Sequence, residues 1–115
     1  RTAFREAVER NGKGTLYLVK IFDNEEVFLK LGITSHSVTH RFRSNIGKCY
    51  NYEVVYEVSS TDGDKIYNAE KQLLRKFSDF KYNPKIKFEG YTECFVETIS
   101  SNIISEIKDI LKGSE

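Results

Sequence analysis

Two neighbouring stretches decide the fold: Thr15-Leu-Tyr-Leu-Val-Lys-Ile-Phe22 and Glu26-Val-Phe-Leu-Lys-Leu-Gly-Ile33. Both alternate with the period of two that a pleated strand imposes on its side chains. In the first, Leu16 and Leu18 take one face, and Tyr17, Val19 and Ile21 take the other. A strand apolar on both faces belongs inside a sheet that is covered on both sides. The link Asp23-Asn24-Glu25 is turn chemistry and short, so the two stretches read as an antiparallel hairpin. In the second, Val27, Leu29, Leu31 and Ile33 share a face, leaving Phe28, Lys30 and Gly32 on the other. A lysine beside a glycine in an apolar strand has two readings. It marks a pocket with a positive charge and close backbone approach, or it is an edge lysine that discourages sheet association.

Upstream, Ala3, Phe4, Ala7 and Val8 have helical spacing until Asn11 and Gly12 break it. Downstream, Thr34 or Ser35 caps a helix over about 36–46. Val38, Arg41, Phe42, Asn45 and Ile46 line one side of it, and Gly47 ends it. A third strand spans 50–58, where Tyr52, Val54, Tyr56 and Val58 alternate with Glu53, Val55 and Glu57. A long helix over about 63–79 carries the stripe Ile66, Ala69, Leu73, Phe77 and Phe80. Glu70 falls inside that stripe, about 40° from Ile66 and about 20° from Phe77 at the helical repeat. A buried carboxylate is costly unless paired; otherwise Glu70 swings its head group out to water. Residues 81–92 are irregular, around Pro84 and Gly90, and Glu93–Val96 is a short extended piece. The tail, 97–112, spaces Ile99, Ile103, Ile107 and Leu111 four apart, as a docking helix does. No repeat or linker interrupts the chain. The reading is one α+β domain over 1–115, with its core in 15–96: a three-stranded antiparallel sheet flanked by helices.

Composition removes several classes. The 115 residues are 39% hydrophobic and 30% charged, which suits a globular chain and not a disordered one. No apolar run approaches the roughly 20 residues that span a bilayer, so no membrane partner is expected. Two cysteines, Cys49 and Cys94, are too few for a disulfide framework. They fit a reducing, intracellular compartment, cytoplasmic or nucleoid-associated. The net charge of +1 does not itself announce a nucleic-acid binder. A functional argument must rest on local arrangement.

The local arrangement offers Tyr17 in the central strand, Lys30 in its partner, Arg41 on the first downstream helix and Glu70 on the second. A hydroxyl, an ammonium, a guanidinium and one carboxylate suit phosphodiester cleavage. The carboxylate holds a divalent cation through oxygen, and the guanidinium offers two donors to a phosphate as negative charge builds. The order and spacing of these groups resemble the GIY-YIG nuclease superfamily. Thr15-Leu16-Tyr17 stands at the first triplet and Lys30-Leu31-Gly32 at the second, with Arg41 nine residues after Gly32. Glu70 within Asn68-Ala69-Glu70-Lys71-Gln72 resembles the family's metal-binding glutamate, and Gly90-Tyr91-Thr92-Glu93-Cys94-Phe95 the late Gly-x-x-Glu-x-Phe segment of one branch. In that branch the second triplet often begins with Lys. The resemblance covers about residues 15–96. It implies a GIY-YIG-like sheet, DNA as partner, Mg²⁺ or Mn²⁺ on Glu70, and Tyr17, Lys30, Arg41 and Glu70 as the catalytic set. The first triplet keeps only its tyrosine, and Lys30 replaces a tyrosine that helps organise the nucleophilic water. The histidine or tyrosine that often follows the arginine has Tyr50 or Tyr52 as its counterpart.

Lys13, Lys20, Arg43 and Lys48, with Lys81, Lys85 and Lys87 of the irregular loop, either line a DNA-facing surface or are scattered solubility charges. Tyr82 and Tyr91 either stack on bases or cover the sheet edge. His36 and His40 are four apart, as zinc pairs are, but read as solvent histidines, and Cys94 as a small buried side chain. The leading expectation is a divalent-metal-dependent DNA endonuclease, with a homodimer as one route to a double-strand break. A non-catalytic nucleic-acid-binding module on the same scaffold is the alternative. A structural or protein-interaction domain is the third reading.

Overall fold

The Asp23 carboxylate closes the hairpin by accepting hydrogen bonds from the backbone N–H groups of Glu25 (2.8 Å) and Glu26 (3.0 Å). This local turn sets the register of β1 (Gly14–Phe22) against β2 (Val27–Thr34), with Tyr17 opposite Gly32 and Val19 opposite Lys30. The structure, a computed structural model, describes residues 2–43, 46 and 49–112, and only the backbone of Arg43. The positions of Asn45, Gly47 and Lys48 therefore lie outside the described residues. β3 (Asn51–Ser60) pairs antiparallel with the other side of β1, which makes β1 an interior strand as expected.

The sheet has four strands, not three. β4 (Cys94–Phe95) adds to β2 with Leu29 opposite Phe95 and Lys30 opposite Cys94, giving the order β3-β1-β2-β4. Lys30 is thereby covered on both sides, which removes the edge-lysine reading. A second departure lies in β3. The register against β1 slips between Leu18, opposite Tyr56, and Val19, opposite Val54. The extra residue, Val55, is a bulge, and a bulge reverses which face the following residues take. Tyr52 packs with Tyr17, whereas Tyr56 and Val58 pack with Leu16 and Leu18. The four alternating residues of this strand therefore do not share one face.

Each face of the sheet has its own core. On one, Leu16, Leu18, Leu29 and Leu31 meet α3 (Gly63–Lys76) and α4 (Ser100–Ile110) through Ile66, Leu73, Ile103 and Ile107. α3 starts at Asp62, whose side chain accepts from the Lys65 N–H (3.1 Å). It ends at Lys76, and a 3₁₀ turn over Ser78–Phe80 then carries Phe80 off the stripe, leaving it 45% exposed. The expected inclusion of Phe80 in that stripe fails for this reason. α1 (Thr2–Asn11) lies on α3, where Val8 abuts Gly63. On the other face, Tyr17, Val19, Ile21 and Phe28 pack with Val38, Phe42, Ile46, Tyr50 and Phe88. Helix α2 (Val38–Arg43) supplies two of these. Among the described residues no helix is long and apolar enough to cross a membrane.

Candidate active site

Tyr17 lies across the backbone of Gly32, and a Cβ at that position would overlap its hydroxyl group. The glycine beside Lys30 is therefore there for close approach. Phe42 of α2 packs edge-on to the Tyr17 ring, with centroids 5.4 Å apart. From the same helix Arg41, half-buried, comes near the Tyr17 hydroxyl, which favours its charge. Burial works against the guanidinium's charge, but Tyr17 and the carboxylates of Glu89 and Glu93 outweigh it and raise the Arg41 pKa.

Lys30 is 1% exposed. Its ammonium lies 5.8 Å from the Tyr17 ring centroid and donates to the Leu31 carbonyl and to Glu93 Oε1, both at 2.9 Å. Gly90, at φ +88°, makes room for it: a Cβ there would come within 2.9 Å of Lys30 Cε. The same glycine opens the turn that carries Glu93, whose N–H donates to the Gly90 carbonyl (3.0 Å).

Glu70, on α3, is 4% exposed. Burial raises its pKa, and the charge of Glu93 raises it further. Lys71, 3.5 Å away, and Lys30 pull it down. Glu93 is thus the group whose charge acts on both Arg41 and Glu70 while its own oxygen holds Lys30. Of the four residues picked from sequence, Lys30, Arg41 and Glu70 each feel the charge of Glu93, while Tyr17 meets Arg41 and Lys30. Helix α3, which carries Glu70, packs on the sheet face opposite to Tyr17 and α2. Glu93 was not among the four. Its signal was the Gly90-x-x-Glu93-x-Phe95 segment, which the sequence marked without giving Glu93 a role. Lys30 and Tyr17 are equally enclosed, each 1% exposed, and the Lys30 ammonium is held by Glu93.

The outlying cations divide. Lys20 shares the face of Leu16 and Leu18, opposite to Tyr17, and pairs with Glu97 (3.7 Å). Strand alternation thus removes it from a surface shared with Tyr17. Lys13 borders a separate hollow with Ser59, Asp62 and Lys65. Lys81, Lys85 and Lys87 are exposed on the 81–93 segment, which lays Tyr82 and Phe88 over the Tyr17 face. Lys48 and the Arg43 side chain lie outside the described residues.

Tyr50 and Tyr52 are both engaged in packing. The Tyr50 hydroxyl donates to Glu26 (2.5 Å), as does that of Tyr82 (2.6 Å), and Tyr52 stacks on Phe42. Burial and the Glu26 hydrogen bond push the Tyr50 pKa far up, and the bond to Glu26 pushes Tyr82 up to about 12. Burial raises the Cys94 thiol to about 12, which keeps it protonated and unreactive. His36 and His40 are exposed, with rings 4.7 Å apart. They line a cleft of about 390 Å³ together with Arg41, Glu89, Thr34 and Ser35.

Among the described residues no group of three or more His, Cys, Asp or Glu side chains could hold a metal ion. Mg²⁺, however, keeps several waters and takes one or two carboxylates plus substrate phosphate oxygens. Glu70 beside Glu93 supplies donors of that kind. Burial first, and the charge of Glu93 second, raise the Glu70 pKa, and a bound cation would oppose both. Both carboxylates are already engaged by cations of the chain, Glu93 by Lys30 (2.9 Å) and Glu70 by Lys71 (3.5 Å). Comparison with protein-family models, with curated proteins and with solved structures gives no match for this chain.

Proposed function

We propose that this chain is a divalent-metal-dependent DNA endonuclease that hydrolyses phosphodiester bonds with a GIY-YIG-like site. One observation carries the reading: enclosed Lys30 holds Glu93 at 2.9 Å, and the charge of Glu93 reaches both Arg41 and, from the opposite side of the sheet, buried Glu70. A structural domain has no use for a buried carboxylate placed beside a second carboxylate. In this reading Glu70 holds Mg²⁺ or Mn²⁺, which when bound neutralises phosphate charge and makes water a better nucleophile. Arg41 donates to the phosphate oxygens as negative charge grows on them. The Tyr17 hydroxyl orients the attacking water. Lys30 is a positioning residue that fixes Glu93.

A non-catalytic nucleic-acid-binding module is the second reading, favoured by the closed Lys30–Glu93 pair, which leaves the site with fewer free groups. Cleavage of plasmid and branched DNA by wild type, Glu70→Gln and Arg41→Ala separates the two. A nuclease loses Mg²⁺-dependent cutting with Glu70→Gln and keeps DNA binding; with Arg41→Ala it loses cutting and part of its binding. Glu70→Gln that nicks at the wild-type rate defeats the metal-ligand role. Wild type that binds DNA and cuts none of these substrates with either cation favours the binding module.

A further inference from the structure

Beside the candidate active site lies a second hollow, of about 410 Å³, lined by Lys81, Tyr82, Asn83, Tyr91 and Thr92. Its walls come from two chain segments that the fold holds firmly. Lys81 bridges to Phe95, and the Tyr82 N–H donates to the Cys94 carbonyl (2.9 Å). The Tyr91 N–H donates to the Phe88 carbonyl (3.1 Å). Tyr82 is locked by its hydroxyl on Glu26 and by stacking on Phe28, at 5.0 Å and 13°. Lys87 Nζ stands 5.6 Å from the centroid of the Tyr91 ring. The hollow thus combines the locked Tyr82, Tyr91, an exposed side-chain amide and Lys81, with Lys87 outside it against the Tyr91 ring. Packing of Tyr82 and Tyr91 against the Tyr17 core places it on that side of the sheet, and Thr92 immediately precedes Glu93.

The chemistry of this lining points to one ligand class. Fixed aromatic side chains stack on nucleobases and tolerate any of them. An amide with both a donor and an acceptor pairs with a base edge. Lysines at the rim meet the flanking phosphates. A base inside a duplex cannot reach such a hollow, because its face is stacked and its edge paired. We infer that the hollow formed by Tyr82, Asn83 and Tyr91 receives a single unpaired nucleobase of the DNA strand. The preferred substrate then carries a bulged, flapped or otherwise splayed nucleotide close to the scissile phosphate. The inference rests on the nucleic-acid reading of the neighbouring site.

The test is a binding measurement in EDTA, where no cleavage competes. The probes are a fully paired duplex and the same duplex with one bulged 2-aminopurine. Wild type should bind the bulged duplex more tightly, by on the order of tenfold, and the 2-aminopurine fluorescence should change as the base is stacked. Tyr91→Ala should bring the bulged duplex down to the affinity of the paired one, whereas Tyr91→Phe should keep the preference. Asn83→Ala, at an exposed position, should weaken the preference without disturbing the fold. Equal affinity for both duplexes, or a Tyr91→Ala loss that falls equally on both, overturns the inference. Wild type that cuts DNA without any bulge preference overturns it and leaves the nuclease reading intact. A bulge preference in a chain that never cuts DNA upholds it and removes the nuclease reading.

Discussion

Gly32 lacks a side chain because Tyr17 occupies the space that one would need. Gly32→Ala should displace the rigid ring and with it the hydroxyl near Arg41. Overpacking of this kind costs about 1–3 kcal/mol. The expected outcome is a lower melting temperature with nicking reduced beyond what the stability loss explains. Folded protein with an unchanged cleavage rate would show that Tyr17 needs no fixed position. Lys30 and Glu93 form a different kind of site, since one partner is wholly enclosed. Glu93→Ala strands a buried ammonium and should destabilise by roughly 3–5 kcal/mol. Lys30→Met added to it should recover much of that loss, because a thioether needs no partner. Urea unfolding of the two single variants and the double measures the coupling, and strict additivity would contradict it. Glu70 adds a pH dependence. Its folded pKa lies above the ordinary 4.5, so the native state holds its proton more tightly than the unfolded chain does. Stability then falls as the pH rises from about 4.5 through the raised value. Glu70→Gln should lack this fall and be the more stable protein on the neutral side. Parallel stability–pH curves for the two would refute the assignment.

At the level of elements, Glu26 fastens the β1–β2 turn to the 81–93 segment through Tyr50, Tyr82 and the Lys85 N–H (3.3 Å). Burial opposes its charge, but these donors prevail and lower its pKa. Its contribution is therefore present above the ordinary value of 4.5 and is lost as the pH falls through the depressed one. Glu26→Gln keeps the size and weakens all these bonds, so it should loosen the segment at neutral pH. Faster proteolytic nicking within 81–93, with the β1–β2–β3 sheet intact, is the outcome to look for. Because that segment also carries Gly90 and Glu93, the tether reaches the candidate site. Little of this was legible in the sequence. The hairpin was, since its period of two and its Asp-containing turn are local properties. Arg41 and Glu70 were, because each is a charge on a face otherwise apolar. The two-residue strand β4 was not, since it exists only by pairing with a strand over 60 residues away. The bulge at Val55 left no mark in a run of strand-forming residues. Glu93 was visible as part of the late Gly-x-x-Glu-x-Phe segment but had no role assigned, because the lysine that explains it is remote in the chain. The face of Lys20 was readable: the alternation that set Tyr17 apart from Leu16 and Leu18 already put Lys20 on the far face.

On the proposed nuclease reading, Tyr17, Arg41 and Glu70 make a single site, and a cutting pattern follows from that. A single site of this kind hydrolyses one strand per encounter. A double-strand break in one encounter requires a second site held in fixed relation to the first. The isoleucine stripe of α4 would be one surface for such pairing. It is not free: Ile103 and Ile107 are buried in the chain's own core against α3. The remaining apolar residues that show, Val27, Val54, Phe80 and Ile86, are spread over separate elements. The edge strand β3 carries Glu53 and Glu57, and a bulge besides, both of which oppose edge-to-edge association. Electrostatics argue the same way. With 18 basic and 17 acidic residues the chain has little net attraction to DNA, so it should leave after a cut more often than it stays for a second. On supercoiled plasmid with Mg²⁺, the open circle should therefore accumulate first. Linear product should follow later, at a rate first order in protein, and raising salt should slow both steps by weakening the encounter. A time course sampled from the first turnover distinguishes the cases. Linear DNA that forms without an open-circle phase, at a rate second order in protein, would mean that two copies act together.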